Sequence, residues 1–125
     1  MFKLWLDDIR PAPDGFFLAQ SVNEAKYAIE KAERLGETKF MLDLDHDLGD
    51  YTKDGGDGIE LVKWLAETNR HYEIKLHTMN PVGRQNMQAI IDRYWPAKGI
   101  RPIPIDPNSK LAEYDFFTGE KLRDI

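Results

Sequence analysis

The sequence predicts an α/β fold with a central, mostly parallel β-sheet and helices on both faces. Short apolar runs that suit buried strands alternate along the chain with longer segments whose apolar residues recur at helical spacing. Several of the strand-like runs end in acidic or other polar residues, so that polar groups collect at strand ends. In a parallel sheet, ligands bind outside the carboxyl ends of the strands. We therefore expect the functional residues to lie at those ends.

The first strand is predicted over residues 2–6, an apolar and aromatic run that stops at Asp7 and Asp8. A loop rich in proline and glycine follows, and a second short strand is predicted over residues 16–20. The loop is too short for a full helix. We therefore expect the first helix of a regular strand–helix alternation to be shortened or missing, which leaves the direction of the second strand open.

The first predicted helix begins after Ser21, which forms a capping box with Glu24. Gly36 provides a stop signal at the other end. Between them, five apolar residues recur at helical spacing: Ala25, Ala28, Ile29, Ala32 and Leu35.

A central strand is predicted over residues 39–45, with its acidic residues at the carboxyl end. Residues 50–58 are rich in aspartate and glycine and predict a loop, which leads into a helix over residues 58–69. A further strand is predicted over residues 72–78.

The last predicted helix begins at Asn80 as N-cap, with Pro81 at the first helical position, where proline is tolerated. Beyond it, the prolines of residues 98–107 allow at most a short edge strand. We expect residues 106–125 to form a C-terminal extension packed on the same domain.

The composition narrows the classes of function. The chain has 125 residues with 22 acidic against 17 basic side chains, a net charge of −5, and no cysteine. The absence of cysteine excludes disulfides, thiolate zinc sites and a cysteine nucleophile. The acidic balance argues against binding of bulk DNA but is compatible with small phosphorylated ligands. No apolar run approaches the roughly 20 residues of a membrane span, and the start does not resemble a signal peptide, which favours a cytoplasmic domain.

Three carboxylates, those of Asp7, Asp8 and Asp45, are predicted to meet at neighbouring strand ends. Carboxylates held close together repel one another unless a cation neutralises them, and oxygen ligands suit Mg²⁺ or Mn²⁺. The alternative is that each aspartate only caps a loop or a helix.

Two histidines, His46 and His77, follow the ends of two different strands. Imidazole titrates near neutral pH, so this pair suits a general acid and a general base. Ligation of a metal beside the aspartates, or no role in chemistry, are the alternatives.

An anion site is predicted at the start of the last helix, where Thr78 and Asn80 precede Arg84. Free backbone amides at a helix N-terminus attract phosphate, and a guanidinium adds a bidentate contact. Arg10, in the loop after the first strand, is a second candidate cation. Ordinary N-capping by Asn80 with a solvated Arg84 is the alternative.

Three motifs together carry a family resemblance: Leu4-Trp5-Leu6-Asp7-Asp8-Ile9-Arg10-Pro11, Leu44-Asp45-His46-Asp47-Leu48-Gly49 and His77-Thr78-Met79-Asn80-Pro81-Val82-Gly83. They resemble response-regulator receiver domains and, more narrowly, the cyclic-phosphate processing receiver domain family. The resemblance implies a flavodoxin-like receiver fold over residues 1–105. It also implies a role in handling cyclic phosphates, on RNA ends or on cyclic nucleotides.

The resemblance assigns roles to four residues. Asp7 and Asp8 match the acidic metal pair of receivers, Asp45 the phospho-accepting aspartate and Thr78 the switch hydroxyl. The sequence departs from the receiver pattern in its short first loop and in lacking a clear match to the Lys-Pro pair at the end of the last receiver strand.

Two hypotheses of function follow. In the first, a divalent ion (Mg²⁺ or Mn²⁺) on the three aspartates assists a phosphoesterase, Thr78, Asn80, Arg84 and Arg10 hold the cyclic phosphate, and the two histidines transfer protons. In the second, the domain is a signalling or nucleotide-sensing module that is phosphorylated or liganded at Asp45 without turnover. A degenerate receiver that serves only as an interaction domain is a third interpretation.

Overall fold

A computed structural model describes residues 1–96 of the chain. The elements follow in the order β1 (Phe2–Leu6), β2 (Phe17–Ala19), α1 (Val22–Arg34), β3 (Phe40–Leu44), a 3₁₀ segment (Gly49–Asp54), α2 (Gly58–Glu67), β4 (Glu73–Leu76) and α3 (Pro81–Tyr94). Each strand and helix predicted within these residues is present. The edge strand over residues 98–107 and the extension over residues 106–125 lie outside the described residues.

The four strands form one parallel sheet in the order β2-β1-β3-β4. β1 is central and pairs with β3 in a register that sets Leu4 beside Leu42 and Leu6 beside Leu44. This parallel sheet with its helices confirms the predicted α/β receiver-like fold. The register aligns the carboxyl ends of β1, β3 and β4 at one edge of the sheet.

No helix connects β1 to β2, as the short loop predicts. The two strands are parallel all the same, with Trp5 beside Leu18. The connection runs along one face of the sheet, where the Phe16 ring packs edge-on against Trp5 at 6.2 Å between centroids. Trp5 Nε1 also donates a hydrogen bond to the carbonyl of Arg10 at 3.2 Å. In the absence of a connecting helix, these two contacts fix the loop against the sheet.

The apolar core lies between the other face of the sheet and the three helices. Alternate residues of β1 and β3 point into it, as the period of a strand requires, and are almost fully buried. The buried helix residues that join this cluster are Val22, Ala25, Ala28, Ile29 and Ala32 of α1, Leu61, Val62 and Leu65 of α2, and Met87 of α3. Within residues 1–96 all three helices therefore cover one face of the sheet. The helices predicted for the other face are not found in this part of the chain.

The opposite face carries a different set of side chains. Lys3, Trp5, Met41, Asp43 and Lys75 alternate with the core positions and are partly or fully exposed. None of them belongs to the apolar core. Two residues of this face, Trp5 and Asp43, contact His77 at the carboxyl end of the sheet.

Both predicted N-caps are confirmed. The Ser21 hydroxyl accepts a hydrogen bond from the backbone N–H of Glu24 at 3.1 Å, and the Asn80 side chain accepts one from Gly83 N–H at 3.0 Å. A side-chain oxygen in this position satisfies one of the backbone donors that a helix leaves free at its start. Asn80 therefore fixes the start of α3 at the edge where the strands end.

A second polar cluster fastens α1 to the segment before β4. Arg70 donates two hydrogen bonds to the Glu33 carboxylate, at 2.9 and 3.0 Å, and the Tyr72 hydroxyl donates a short one to the same group. The hydrogen bond from Arg70 lowers the pKa of Glu33 despite its burial. Burial, and then the hydrogen bond to Glu33, raise the pKa of Tyr72 to about 12.

None of the helices in the described part of the chain is long and apolar enough to cross a membrane.

Candidate functional site

An open cavity of about 640 Å³ lies at the carboxyl ends of β1, β3 and β4. Its lining comes from the loops that follow these strands and from the first turn of α3. The residues that line it are Asp7, Asp8, Ile9, Arg10, Asp45, Asp47, Gly49, Thr78, Met79, Asn80 and Pro81. The structure thus brings together six of the predicted site residues: Asp7, Asp8, Arg10, Asp45, Thr78 and Asn80.

Asp7 is the most deeply buried acidic group of the site, with 2% of its surface exposed. Its Oδ1 accepts hydrogen bonds from the backbone N–H groups of Ile9 and Arg10, both at 2.8 Å, and its Oδ2 lies 2.9 Å from His77 Nε2. Burial alone would raise the pKa of Asp7, but the two backbone donors and His77 together lower it. The carboxylate is therefore held as an anion in a fixed orientation.

His77 connects this carboxylate to the opposite face of the sheet. Its Nδ1 lies 2.7 Å from Asp43 Oδ1, and its ring stacks on Trp5 with 3.8 Å between centroids and 4° between planes. The side chains of Asp43, His77 and Asp7 thus form a row in space, in which each ring nitrogen of His77 contacts one carboxylate. An ionised carboxylate only accepts hydrogen bonds, so the imidazole serves both partners fully when both of its nitrogens carry protons.

Asp8 and Asp45 line the same cavity, and fewer hydrogen bonds hold their carboxylates than hold that of Asp7. Asp45 Oδ1 accepts a hydrogen bond from His46 N–H at 2.8 Å. Burial, and then the neighbouring carboxylates of Asp7, Asp45 and Asp47, raise the pKa of Asp8. Among residues 1–96 neither Asp8 nor Asp45 forms an ion pair. The cavity therefore carries an excess of negative charge that the described residues do not neutralise.

The donor set suits a divalent cation. Asp7, Asp45 and His77 each offer one ligand atom within 4.8 Å of the others, and Asp8 lines the cavity beside them. Carboxylate oxygens are the ligands that Mg²⁺ and Mn²⁺ prefer. Both nitrogens of His77 already contact carboxylates, whereas a carboxylate has about four lone-pair positions, so the carboxylates of Asp7, Asp8 and Asp45 are the more available ligands. The residues present thus fit the predicted cation.

Thr78 and Asn80 form the wall of the cavity on the β4 side. Thr78 is 5% exposed, and its hydroxyl accepts a hydrogen bond from Asn80 N–H at 3.1 Å. The Asn80 amide nitrogen donates to Asp47 Oδ1 at 3.1 Å while its oxygen caps α3. Asn80 therefore joins the loop after β3 to the start of α3.

His46 lies behind this wall and does not line the cavity. Its Nδ1 is 2.7 Å from Asp47 Oδ1, and the hydrogen bonds from His46 and then Asn80 lower the pKa of Asp47. Its ring packs so tightly on α3 that a Cβ added at Gly83 would lie 2.5 Å from His46 Cγ. His46 and His77 thus contact different carboxylates, and the structure does not place them on one common anion.

The two predicted arginines have different positions. Arg10 lines the cavity and reaches the carbonyl of His77 at 3.5 Å. Arg84 lies outside the lining and donates instead to the carbonyl of Leu76 at 3.0 Å and to that of Thr78 at 3.5 Å. Arg84 therefore satisfies backbone acceptors at the end of β4.

The backbone beneath Asp45 is packed against α2. Gly58 donates its N–H to the carbonyl of His46 at 2.7 Å, and a Cβ added at Gly58 would lie 1.9 Å from the Asp45 carbonyl oxygen. Glycine is required here because the two backbones approach too closely for a side chain. This contact fixes the main chain that carries the Asp45 carboxylate.

Three residues of this region were not among the predicted site residues: Trp5, Asp43 and Asp47. Asp43 breaks the apolar run of β3 between Leu42 and Leu44, and a charge within a buried strand indicates a partner. Asp47 belongs to the acidic cluster after β3. The stacking of Trp5 on a residue 72 positions later leaves no signal in the local sequence.

The family described as cyclic-phosphate processing Receiver domain matches residues 2–93. No curated protein and no solved structure matches the chain. The match covers every strand and helix described above except the last residue of α3.

Proposed function

The chain belongs to the cyclic-phosphate processing receiver domain family, and we propose that it opens the cyclic phosphate of a small phosphorylated ligand or an RNA end with the help of a divalent cation. The observation that carries this proposal is the cavity itself. It combines the carboxylates of Asp8 and Asp45, which form no ion pair within residues 1–96, with groups that bind anions at the carboxyl edge of a parallel sheet.

Asp7, Asp8 and Asp45 are the residues that would hold Mg²⁺ or Mn²⁺. When bound, such a cation polarises the phosphoryl oxygens and neutralises charge that develops on them. The preformed orientation of Asp7 supports this role, because three atoms contact its carboxylate before any ligand arrives: the backbone nitrogens of Ile9 and Arg10, and His77 Nε2. The excess of negative charge gives the cavity affinity for a cation.

Arg10, Thr78 and Asn80 are proposed to orient the phosphate. Arg10, in the loop after β1, and Thr78, after β4, both line the cavity, and β3 lies between these two strands. Arg84 is less suited to this role, because its guanidinium already donates hydrogen bonds to the carbonyls of Leu76 and Thr78. Its contribution is to hold the start of α3 against the end of β4.

The reaction adds water to phosphorus and breaks one ester bond, so a proton must leave the water and another must reach the departing oxygen. His46 does not line the cavity, but its Nδ1 contacts Asp47, which does, so His46 would exchange a proton with the substrate through Asp47. Both nitrogens of His77 are already engaged by carboxylates. We propose that His77 orients Asp7.

A second candidate function has its own support. Asp45 and Thr78, which match the phospho-accepting aspartate and the switch hydroxyl of receivers, line the same cavity. Their proximity favours a receiver-like module in which Asp45 is phosphorylated or senses a ligand without turnover.

The decisive experiment incubates the purified chain with a 2′,3′-cyclic nucleotide and Mn²⁺ or Mg²⁺ and follows the phosphorus by NMR. We expect ring opening that is lost in Asp45→Asn and retained in Asp92→Asn, a matched change at an exposed carboxylate of α3. No turnover by the wild-type chain with either metal overturns the proposal. In that case, acetyl phosphate labelling that disappears in Asp45→Asn would support the second candidate.

A further inference from the structure

One face of the sheet has no helix over it within residues 1–96. All three helices of this part of the chain pack on the other face. Parallel sheets are almost always covered on both faces, so this face calls for a layer of its own. We call it the open face. The strand residues whose side chains form it are Lys3, Trp5, Leu18, Met41, Asp43 and Lys75.

The open face combines apolar side chains with two positive charges. Trp5 and Met41 are half-buried, and Leu18 is 38% exposed. Lys3 lies beside Met41 in the register, and Lys75 lies on the same face two strands away. Neither lysine forms an ion pair in the part of the chain that the structure describes. A segment that fits this face therefore carries large apolar side chains with acidic residues among them.

The described chain ends close to the open face. Trp95 Nε1 donates a hydrogen bond to the carbonyl of Tyr72 at 2.8 Å, which holds the end of α3 at the start of β4. β4 is the outermost of the four described strands on this side. A chain that continues round β4 arrives on the open face. Because four strands are only roughly 15 Å across, about five extended residues span them.

One stretch of residues 97–125 has the composition that the open face requires. Residues 111–117 read Leu-Ala-Glu-Tyr-Asp-Phe-Phe, with two carboxylates among large apolar and aromatic side chains. They include every aromatic residue that follows Trp95. The prolines that precede them, Pro102, Pro104 and Pro107, favour an extended path. Such a path suits a chain that has to pass from one face of the sheet to the other.

The open face lies directly behind the candidate site. Trp5 stacks on the His77 ring, and Asp43 lies 2.7 Å from His77 Nδ1. The other ring nitrogen of His77 lies 2.9 Å from Asp7 Oδ2. A segment that lies over Trp5 and Asp43 excludes water from these contacts, and hydrogen bonds are stronger where water is excluded. The orientation of the Asp7 carboxylate is then fixed more firmly.

We propose that residues 111–117 cover the open face of their own chain and that this contact strengthens cation binding in the cavity. The second part rests on the proposed function, since it assumes a cation on the aspartates of the cavity. The carboxylates of Glu113 and Asp115 neutralise Lys3 and Lys75, and the aromatic rings pack on the apolar residues between the lysines. The segment thus regulates the site from the opposite side of the sheet.

The first test measures whether the open face is accessible in the full chain. The chain has no cysteine, so one introduced thiol reports on one position. Met41→Cys places it on the open face, and Ala66→Cys, at a half-buried position of α2, is the matched control. We expect the Met41→Cys thiol to react with iodoacetamide at least roughly tenfold more slowly than the control, because a covered thiol reacts only when the segment opens locally.

Substitutions in the segment identify what covers the face. Phe116→Ser with Phe117→Ser should raise the rate at Met41→Cys to that of the control thiol. Ile103→Ser with Ile105→Ser, two apolar changes outside residues 111–117, should leave the rate low. Equal rates at the two thiols in the parent chain, or protection that survives the phenylalanine changes, overturn the proposal. Protection that fades on dilution assigns the face to a second copy of the chain and overturns it too.

A charge exchange keeps the test valid if the phenylalanine changes unfold the chain. Glu113→Lys with Asp115→Lys should expose the Met41→Cys thiol by repulsion from the two lysines of the face. Lys3→Glu with Lys75→Glu in the same chain should restore protection. A thiol that stays protected after the first exchange, or stays exposed after the second, overturns the contact with the lysines.

Calorimetric titration of Mn²⁺ tests the link to the cavity and needs no substrate. The phenylalanine variant should bind Mn²⁺ roughly tenfold more weakly, as for the loss of other groups that orient a metal ligand, and the isoleucine variant should bind it normally. Unchanged affinity in a variant whose thiol is exposed overturns the link. A parent chain that binds no Mn²⁺ overturns the link and the proposed function together, while the thiol rates still decide what covers the face. Mn²⁺ binding without turnover counts against the proposed function alone.

Discussion

Gly58→Ala should loosen the candidate site through the backbone alone. The added Cβ would lie 1.9 Å from the carbonyl oxygen of Asp45 and 3.2 Å from the Cα of His46. These atoms are main chain, so no side-chain rotation relieves the contact. Either the start of α2 or the end of β3 must move, by about 1 Å to reach even the shortest tolerated separation.

The magnitude follows from two opposing effects. Overpacking of this kind costs about 1–3 kcal/mol, and replacing glycine by alanine in a helix returns up to about 1 kcal/mol. We expect a net loss of about 2 kcal/mol in the free energy of unfolding, which lowers Tm by roughly 5–10 °C in a chain of this size. Displacing the main chain of Asp45 should also weaken Mn²⁺ binding by roughly tenfold.

The assay pairs urea denaturation with calorimetric titration of Mn²⁺. Gly36→Ala is the control, because a Cβ there meets nothing within 4 Å and only its φ of 97° is unfavourable. That variant should lose about 1 kcal/mol of stability and keep its affinity for Mn²⁺. A Gly58→Ala chain as stable as the wild type would refute the packing argument. Unchanged Mn²⁺ binding in a destabilised Gly58→Ala chain would refute the link to the site.

Three further predictions concern two polar clusters. In a double-mutant cycle of Asp43→Ala and His77→Ala, urea denaturation should give a coupling energy of about 1–3 kcal/mol, because the two side chains share a hydrogen bond of 2.7 Å; additive losses would contradict it. Stability should also fall as pH rises from 10 through about 12, since the folded pKa of Tyr72 lies above its unfolded value of 10.0. Conversely, the depressed pKa of Glu33 contributes stability that is present above its usual value of 4.5 and is lost as pH falls through the folded value. Thermal melting against pH checks both, and Tyr72→Phe should abolish the alkaline part; a Tyr72→Phe chain with the same alkaline loss would assign that loss to other groups.

Much of the fold could be predicted because its signals are local. The cap at Ser21, the N-cap at Asn80 and the spacing of apolar residues in α1 each depend on neighbours within a few positions. The direction of β2 had no such signal, because a loop of ten residues can reverse the chain or carry it across the sheet. In the folded chain the Phe16 ring packs on Trp5, a contact between the end of the loop and β1 that the sequence of the loop alone does not indicate.

The position of the site could be predicted from the sequence, whereas the roles of its histidines could not. The rule that ligands gather at the carboxyl ends of parallel strands located Asp7, Asp45 and Thr78 in one cavity. The partners of His46 and His77 depend on which side of the sheet each ring occupies. His77 lies on the sheet face that carries Asp43, whereas His46 packs on α3. A shift of one residue along a strand moves a side chain to the other face of the sheet, so a small error in the predicted strand ends changes the expected partners.

The parallel register has a consequence for how the site comes into being. Asp7 and His77 are 70 residues apart in sequence, and His77 and Asp43 are 34 apart, so no local segment contains the complete site. The unfolded chain can offer an ion only scattered carboxylates. Any cation or anion that binds in the cavity therefore binds the native state alone and shifts the folding equilibrium towards it in proportion to its concentration. Assembly of the cavity must wait for strand pairing over these long separations, which is the slow part of folding in sheets of this kind.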